Sequence, residues 1–433
     1  MLIGGIVITI SCQFNGLNIR LVEDGNIGVY GPLVFNFSKP VLRDTVENSI
    51  LFDFQNEVRF EWEDQILYIW PIGLLSPGQY SVTIMRAVDL EGQDIIEPCN
   101  YTIEVRDPEV VYIAPLSAGS ELWRRKPGQK ESVQITFTEG NVIDFDISLD
   151  GERLVFSARN GDGGIDIWQT DRDGNRFKRL LDCGTAYCEE PDWSPDGKKI
   201  AYSYLVPGDN SSRYKKIWIY DFDTEISQPL RAEKNQCLGI TPRWSPDGKK
   251  IAFYDDHAER IVVYFFELNH LLILPANSGD MGSWSQDGQK MYFNHVYKTE
   301  FDAYVVMYEM DFEQNRYYRS PLNGILERKY YSIPEETYDG EWIALGEQCA
   351  CIHGVPTKQI WLTKPDGSDV FQITNEMQYT NTAYHWDPEG KMLAFQRYEL
   401  GSSKSLPDVL IWIREKDEFL VVASDAGHPE WLP

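Results

Sequence analysis

The sequence Trp-Ser-Pro-Asp-Gly-Lys-Lys-Ile-Ala-Phe, residues 244–253, predicts a β-hairpin with a tight turn at its centre. Pro246 sets φ at the first corner of the turn, Asp247 accepts local hydrogen bonds, and Gly248 supplies a positive φ. The apolar residues 251–253 then begin a second strand. The stretch is therefore interpreted as strand A, a turn and strand B.

This turn recurs six times between residues 149 and 390. Its acidic residue stands at positions 150, 196, 247, 287, 339 and 389, which gives intervals of 46, 51, 40, 52 and 50 residues. Each unit continues with a third apolar run, such as Ile217-Trp218 or Ile360-Trp361, and several show a fourth, such as residues 371–374. Four antiparallel strands in a repeat of this length are typical of one propeller blade.

The repeat resembles that of TolB-type propellers, whose core reads Trp-Ser-Pro-Asp-Gly-Lys-Lys-Ile-Ala-Phe. The match is strong at 193–202 and 244–253, and weaker at 284–293 and 386–395. The resemblance implies a β-propeller over residues 108–433.

Closure of the ring is predicted from the two ends of this region. Residues 429–433 have the form of a strand A that stops before its turn, and residues 110–137 supply runs typical of strands B, C and D. A blade split in this way joins the first and last blades and removes free sheet edges. Six full units and the split blade predict seven blades, with six as the alternative because TolB-like propellers often have six.

Residues 18–107 lack the turn motif and alternate short apolar runs with turn residues, which is typical of a small sandwich. Segments 35–41, 74–80 and 87–92 resemble parts of a bacterial Ig-like domain of the surface-layer type, which implies a spacer or an adhesive module. The predicted fold class is all-β, with an Ig-like β-sandwich followed by a β-propeller that the C-terminal strand closes.

Residues 1–17 are interpreted as a partial signal segment. The apolar run 2–10 is too short to span a bilayer and follows no Lys or Arg. It ends in Thr-Ile-Ser-Cys, residues 9–12, which resembles a bacterial lipoprotein box and makes lipidation of Cys12 a hypothesis. An ordinary signal with a mispositioned start, or a first β-strand, is the alternative.

Cys183 and Cys188 bracket four residues in one predicted loop, a spacing that allows a local disulfide. Cys237, in the next loop of the same type, is an alternative partner. Cys99 is interpreted as a buried thiol. A disulfide fits an exported protein, so the predicted location is extracytoplasmic, in the periplasm or at the cell surface.

Cys349, Cys351 and His353 form the sharpest cluster of potential metal ligands. Two thiolates and an imidazole can bind zinc or copper, although the sequence shows no fourth ligand. A structural role or separate disulfides is the alternative. Apart from this structural metal, no cofactor is predicted.

The net charge of the chain limits the classes of partner that it can bind. The 67 acidic and 40 basic residues give a net charge of −27, which disfavours nucleic acid and anionic membranes because both repel it. A membrane contact is expected only through a lipid on Cys12. The predicted partner is another protein, with self-association as a further possibility.

The sequence contains no Gly-x-Ser-x-Gly nucleophile elbow and no His pair at metalloprotease spacing. The predicted function is a non-catalytic binding scaffold that uses the propeller face carrying the long loops. These are the B–C loops 205–215, 295–302, 347–358 and 399–408 and the D–A loops 182–191 and 231–241. The alternatives are a channel enzyme or ligand binder acting on glycans, and a surface-layer subunit. Carboxylates converging in the channel with perturbed pKa values would favour an enzyme, and exposed aromatic loop tips would favour a binding module.

Overall fold

A computed structural model describes residues 11–14, 16–95, 97–208, 214–232, 235–300, 303–323, 334–352, 355–401 and 406–433. The chain divides into two compact units, Met1–Pro108 with Pro433 and Glu109–Leu432. Strands dominate both, and the first unit also carries the short α-helix Arg43–Glu47 and a 3-10 turn, Val22–Gly25. Across the described ranges, no helix has the length and apolar character needed to cross a membrane.

The described part of the first unit contains nine strands in two sheets. They are β1 (Ser11–Phe14), β2 (Leu17–Leu21), β3 (Asn26–Ile27), β4 (Leu33–Phe37), β5 (Ile50–Phe52), β6 (Val58–Glu63), β7 (Ile66–Pro71), β8 (Gly78–Ile84) and β9 (Cys99–Val105). One sheet has the order β1-β2-β4-β7-β6, and the other has the order β3-β9-β8-β5. The parallel pairing of β3 with β9 is the exception to antiparallel pairing in this unit.

The core of the first unit lies between these two sheets. In β4 and β9, buried and more exposed residues alternate, because successive side chains of a strand point to opposite faces. The rings of Phe35 and Tyr101 meet edge to face across the core at 5.0 Å, and the Tyr101 hydroxyl donates to the Ile19 carbonyl. Strand β1 begins at Ser11, inside the segment 1–17 that the sequence assigns to a signal.

The described part of the second unit forms seven four-stranded blades. Blade 1 is β10 (Glu109–Ala114), β11 (Glu121–Arg125), β12 (Val133–Gln134) and the C-terminal β39 (Gly427–Leu432); blade 2 is β13 (Val142–Ile147), β14 (Arg153–Arg159), β15 (Ile165–Asp171) and β16 (Lys178–Leu181); blade 3 is β17 (Tyr187–Trp193), β18 (Lys199–Leu205), β19 (Lys216–Asp221) and β20 (Ile226–Pro229). A small hairpin, β21 (Arg231–Ala232) and β22 (Asn235–Gln236), follows blade 3.

The remaining four blades follow in chain order. Blade 4 is β23 (Ile240–Trp244), β24 (Lys250–Asp255), β25 (Arg260–Phe265) and β26 (His270–Leu274); blade 5 is β27 (Ser283–Trp284), β28 (Lys290–Lys298), β29 (Ala303–Asp311) and β30 (Arg316–Arg319); blade 6 is β31 (Glu335–Glu336), β32 (Ile343–Ile352), β33 (Val355–Thr363) and β34 (Phe371–Gln372); blade 7 is β35 (Tyr379–Trp386), β36 (Met392–Glu399), β37 (Asp408–Ile413) and β38 (Glu418–Ser424).

The predicted ring closure is confirmed. Strand β39 pairs antiparallel with β10, with Trp431 opposite Val110, so the C-terminus supplies strand A of blade 1. The β-propeller and its seven blades therefore follow the sequence pattern.

The repeated turn owes its shape to one hydroxyl. Ser245 Oγ donates to Asp247 Oδ1 at 2.5 Å and accepts the main-chain N–H of Lys250 at 2.9 Å. Gly248 adopts φ 68°, a conformation that residues with a Cβ rarely take. The same bonds recur around Ser148, Ser194, Ser285 and Thr337.

Candidate functional site

Strand A of each blade lines the central channel, and one position of this strand is polar in every blade. This position directly precedes the Trp of the repeat or its equivalent. It is occupied by Asp146, Asp192, Arg243, Ser283, Glu335, His385 and Glu430. We call these residues the channel wall.

The channel wall also ties neighbouring blades together. Asp146 Oδ2 accepts the main-chain N–H of Trp193 at 2.5 Å, and Asp192 Oδ2 accepts that of Trp244 at 2.7 Å. Three other wall residues accept through their main-chain carbonyls from the indole N–H of the next blade's inner-strand Trp: Arg243 from Trp284, Glu335 from Trp386 and His385 from Trp431. One oxygen of each aspartate is therefore held by the fold.

Blades 1 to 3 bring four carboxylates together around one guanidinium from blade 4. Arg243 Nη1 lies 3.3 Å from Asp192 Oδ1, and Asp144, Asp146 and Glu430 act on the same guanidinium electrostatically. The Arg243 side chain still keeps 40% of its exposure, because it faces the solvent of the channel. We call these five residues the acidic cluster.

Loss of hydration inside the ring governs protonation in the acidic cluster. It raises the pKa of Asp146 to about 8, with a further contribution from the negative charge of Asp192. It raises the pKa of Asp192 to about 6, where the neighbouring Arg243 limits the rise. The pKa values of Asp144 and Glu430 are raised for the same reason. The carboxylates therefore retain protons at pH values where surface carboxylates are ionised.

A recurrent distortion of strand A shapes the wall. Glu190, Thr241, Ala383 and His428 all adopt φ between 46° and 56°, and each stands three residues before the inner-strand Trp. Breaks in pairing register coincide with them, as expected for β-bulges, which re-aim side chains. At one of them, Glu190 Oε2 accepts from the Ser203 hydroxyl and from the Thr241 N–H.

The other side of the channel contains a cavity of about 590 Å³. Wall residues Arg243, Ser283, Glu335 and His385 line it, together with Lys358 from strand C of blade 6. His385 Nδ1 lies 3.6 Å from Glu335 Oε1. The cavity therefore offers both acidic and basic groups to a ligand.

Two of the loops predicted for the binding face are continuations of strands. Segment 295–302 is largely the end of a hairpin of the nine-residue strands β28 and β29, and segment 347–358 lies largely in β32 and β33. Near the end of the first hairpin, the rings of Tyr297 and Tyr304 stack at 5.3 Å with 37% exposure each. The paired strands of this hairpin therefore present an exposed aromatic pair.

The cysteines whose side chains the structure describes form two disulfides. Cys183 and Cys188 are bonded at 1.99 Å, within the connection from blade 2 to blade 3, and the alternative partner Cys237 is a buried thiol. Cys12 is bonded to Cys99 and joins the two sheets of the first unit. This bond corrects the expectation of a thiol at Cys99. Lipidation of Cys12 stays a prediction, and it competes with the disulfide because one sulfur cannot form both bonds.

The proposed metal ligands lie outside what can be described. Cys349 and Cys351 belong to strand β32, but their side chains, and His353 as a whole, fall outside the described residues. Among the described residues, no group of three His, Cys, Asp or Glu side chains is arranged to hold a metal ion.

Sequence reasoning missed the acidic cluster. A signal was present, because a charged residue directly precedes the inner-strand Trp at Asp192, Arg243, His385 and Glu430. Its meaning depends on ring closure, which brings Asp146 and Glu430 together although they lie at opposite ends of the propeller sequence.

Comparison with known proteins gives the family. The family model for the TolB beta propeller domain matches residues 166–433. An uncharacterized peptidase of Bacillus subtilis, YuxL, is 39% identical over 69 residues, which is 16% of this chain and 10% of the relative. The uncharacterized protein Atu1656 of Agrobacterium fabrum is 25% identical over 223 residues, which is 49% of this chain and 66% of the relative. The chain thus spans less than two thirds of either relative.

Among solved structures, TolB from Acinetobacter baumannii aligns with a TM-score of 0.44 and 13% identity, over 89% of this chain and 83% of that one. The family assignment rests on the repeat model, which covers more than half of the residues. By that match the chain belongs to the TolB β-propeller domain family.

Proposed function

We propose that this protein is a non-catalytic, extracytoplasmic scaffold that binds a protein partner on the face formed by the B–C hairpins and D–A connections. The observation that carries the proposal is the exposed Tyr297–Tyr304 pair on the hairpin of blade 5. Tyrosine supplies a large, rigid contact area at low entropic cost and is enriched at protein interfaces.

The tyrosine pair lies within the paired part of the hairpin. Tyr297 and Tyr304 face each other in the strand register, and the Tyr297 hydroxyl lies 2.7 Å from that of Tyr308. A preorganised pair loses little freedom on binding, so more of the contact energy remains as affinity. The acidic character of the chain favours a partner whose surface is basic, since opposite potentials guide association.

The proposed location rests on the disulfides. The Cys12–Cys99 and Cys183–Cys188 bonds persist in oxidising compartments and are rare in the cytosol. An extracytoplasmic location is thereby supported, and the Cys12 bond argues against a lipid at that residue.

The test is cross-linking of the native protein in its own cells, followed by mass spectrometry. We expect Tyr297→Ala combined with Tyr304→Ala to remove links from the hairpin to one partner protein. The matched control is Tyr338→Ala, which removes an exposed aromatic ring from a turn between strands A and B on the opposite face. Links only between copies of this chain would support the surface-layer alternative, and equal loss with the control would contradict the proposal.

A channel enzyme acting on glycans is the second candidate, and the raised pKa values in the acidic cluster favour it. Catalytic acids and bases often stand in pairs whose environments separate their pKa values, as with Asp146 near 8 and Asp192 near 6. Against this, each aspartate uses an oxygen to hold the next blade. Cleavage of an oligosaccharide by the wild type that Asp192→Asn abolishes, with unchanged folding, would decide for the enzyme.

A further inference from the structure

Two basic side chains line the 590 Å³ channel cavity with unused hydrogen-bond donors. Arg243 donates from Nη1 to Asp192 and to the Pro242 carbonyl, while its Nε and Nη2 have no bond to any described residue. The Lys358 ammonium has no hydrogen bond or ion pair within the described ranges, although it acts electrostatically on Asp280, which also lines the cavity.

The fold fixes Lys358 at the cavity through its main chain. Its N–H donates to Thr380 Oγ1 at 3.0 Å, and its carbonyl accepts from Asn381 Nδ2 at 3.1 Å. Asn381 itself is buried and also donates to Thr374 Oγ1. The position of Lys358 therefore does not depend on an ion pair, and its ammonium remains available to a ligand.

We infer that this cavity is a binding site for a ligand that carries a carboxylate, held between Lys358 and the outer edge of Arg243. The planar guanidinium suits the two oxygens of a carboxylate, and the ammonium adds a point charge. The cavity volume falls within the range of roughly 300–1,000 Å³ that is usual for small-ligand sites.

The remaining groups of the cavity restrict the rest of the ligand. His385 Nδ1 lies 3.6 Å from Glu335 Oε1, and burial raises the pKa of Asp280, an effect that the nearby Lys358 ammonium opposes. Ser283 offers a hydroxyl. A ligand with a single acidic end and a neutral, hydrogen-bonding body fits this lining better than one with several negative charges.

This inference goes beyond the proposed function, since the cavity and the tyrosine pair share no residue. Either proposal can fail while the other holds. The ligand's carboxylate has two sources, a free small acid and the C-terminus of a polypeptide, and the probes must distinguish them.

The experiment is titration calorimetry of the full chain with three probes: gluconate, N-acetyl-tetraalanine with a free C-terminus, and the same peptide with an amidated C-terminus. We expect one of the two acids to bind with a dissociation constant of about 1 mM or lower, as two charge-assisted hydrogen bonds allow. Gluconate binding identifies a small acid as the ligand, and peptide binding identifies a chain terminus. The amide must fail to bind.

Variants then assign the binding to the cavity. Lys358→Met is expected to weaken binding about tenfold, and Lys358→Arg to retain it. Lys416→Met is the matched control, because it removes the same charge from the exposed turn between β37 and β38, which does not line the cavity. Circular dichroism checks that the variants fold. If Lys358→Met unfolds, Lys358→Arg still provides a test of the cavity. Binding of the amide as tight as that of the acid, equal effects of the two Met variants, or no binding of either acid at about 10 mM would overturn the inference.

Discussion

Two positions of the same repeat, two residues apart, differ in how far they vary around the ring. The turn position carries a hydroxyl in five blades, as in Ser194 and Ser245, and makes the same hydrogen bonds each time. The channel wall position changes from carboxylate to guanidinium, hydroxyl and imidazole. The constant position stabilises each hairpin, and the variable position is where the protein can acquire a specific site on a repeated scaffold.

Blade 7 breaks the constancy of the turn. Asp387 replaces the hydroxyl, and its Oδ1 accepts the main-chain N–H groups of Lys391 and Met392. Its Oδ2 is buried, and no described atom donates a hydrogen bond to it. This orphan oxygen raises the pKa of Asp387 to about 6, mainly through loss of hydration. The turn of blade 7 is therefore an exception to the constant turn position, and substitutions can test it.

The largest effect is expected at the wall. Arg243→Met leaves Asp144, Asp146, Asp192 and Glu430 without their cation, which should cost about 3 kcal/mol of unfolding free energy at pH 8. The loss should shrink at pH 5, because the carboxylates then hold protons and repel one another less. Urea unfolding at both pH values measures this difference.

Arg243→Lys is the control for charge alone and should lose clearly less stability than the Met variant. A loss that is larger at pH 5 than at pH 8 would contradict the electrostatic account of the acidic cluster.

The next effect concerns the exceptional turn. The raised pKa means that native Asp387 holds its proton more tightly than the unfolded chain does. Its protonated form thus stabilises the fold below about pH 4, and about 3 kcal/mol is lost as pH rises through about 6. Asp387→Ser, which restores the hydroxyl of the other blades, should remove this pH dependence and stabilise the protein at pH 7.

The reciprocal control is Thr337→Asp, which places the exceptional residue in the turn of blade 6. It should introduce a loss of stability over the same pH window, as followed by urea midpoints between pH 4 and pH 7. A flat response in the reciprocal variant would locate the effect elsewhere in blade 7.

A smaller effect is expected from an ordinary turn. Ser245→Ala removes an acceptor from the buried N–H of Lys250, which should cost about 1 to 2 kcal/mol. Ser368→Ala is the control, because Ser368 makes a similar bond to Asp366 in an exposed turn, where water replaces it. Thermal unfolding measures the loss of stability in both variants. An equal loss at the exposed and the buried site would contradict the role given to the buried hydrogen bond.

The difference between turn and wall also explains what the sequence could predict. Turn residues act within five positions of one another, so Asp247 and Gly248 predict their own geometry, and the repeat predicts the blades. The Cys12–Cys99 bond, the acidic cluster and the Lys358 cavity join residues distant in sequence, and they depend on how sheets pack and how the ring closes. The extended hairpins were missed because Tyr297 and Tyr304 flank polar residues typical of a loop.

The smallest expected effect is a pH dependence of ligand binding, in which the acidic cluster acts on the cavity across the channel. Between pH 6 and pH 9, Asp146 loses its proton, and the added negative charge near Arg243 should weaken binding of the carboxylate probe about threefold. Asp192 is mostly ionised above its pKa of about 6, whereas the raised pKa values of Asp144 and Glu430 allow both to add to the trend. Asp146→Asn should flatten the profile measured by calorimetry and leave binding at pH 6 nearly unchanged. Binding that tightened with pH, or a profile that the Asn variant did not alter, would show that the acidic cluster and the cavity act independently.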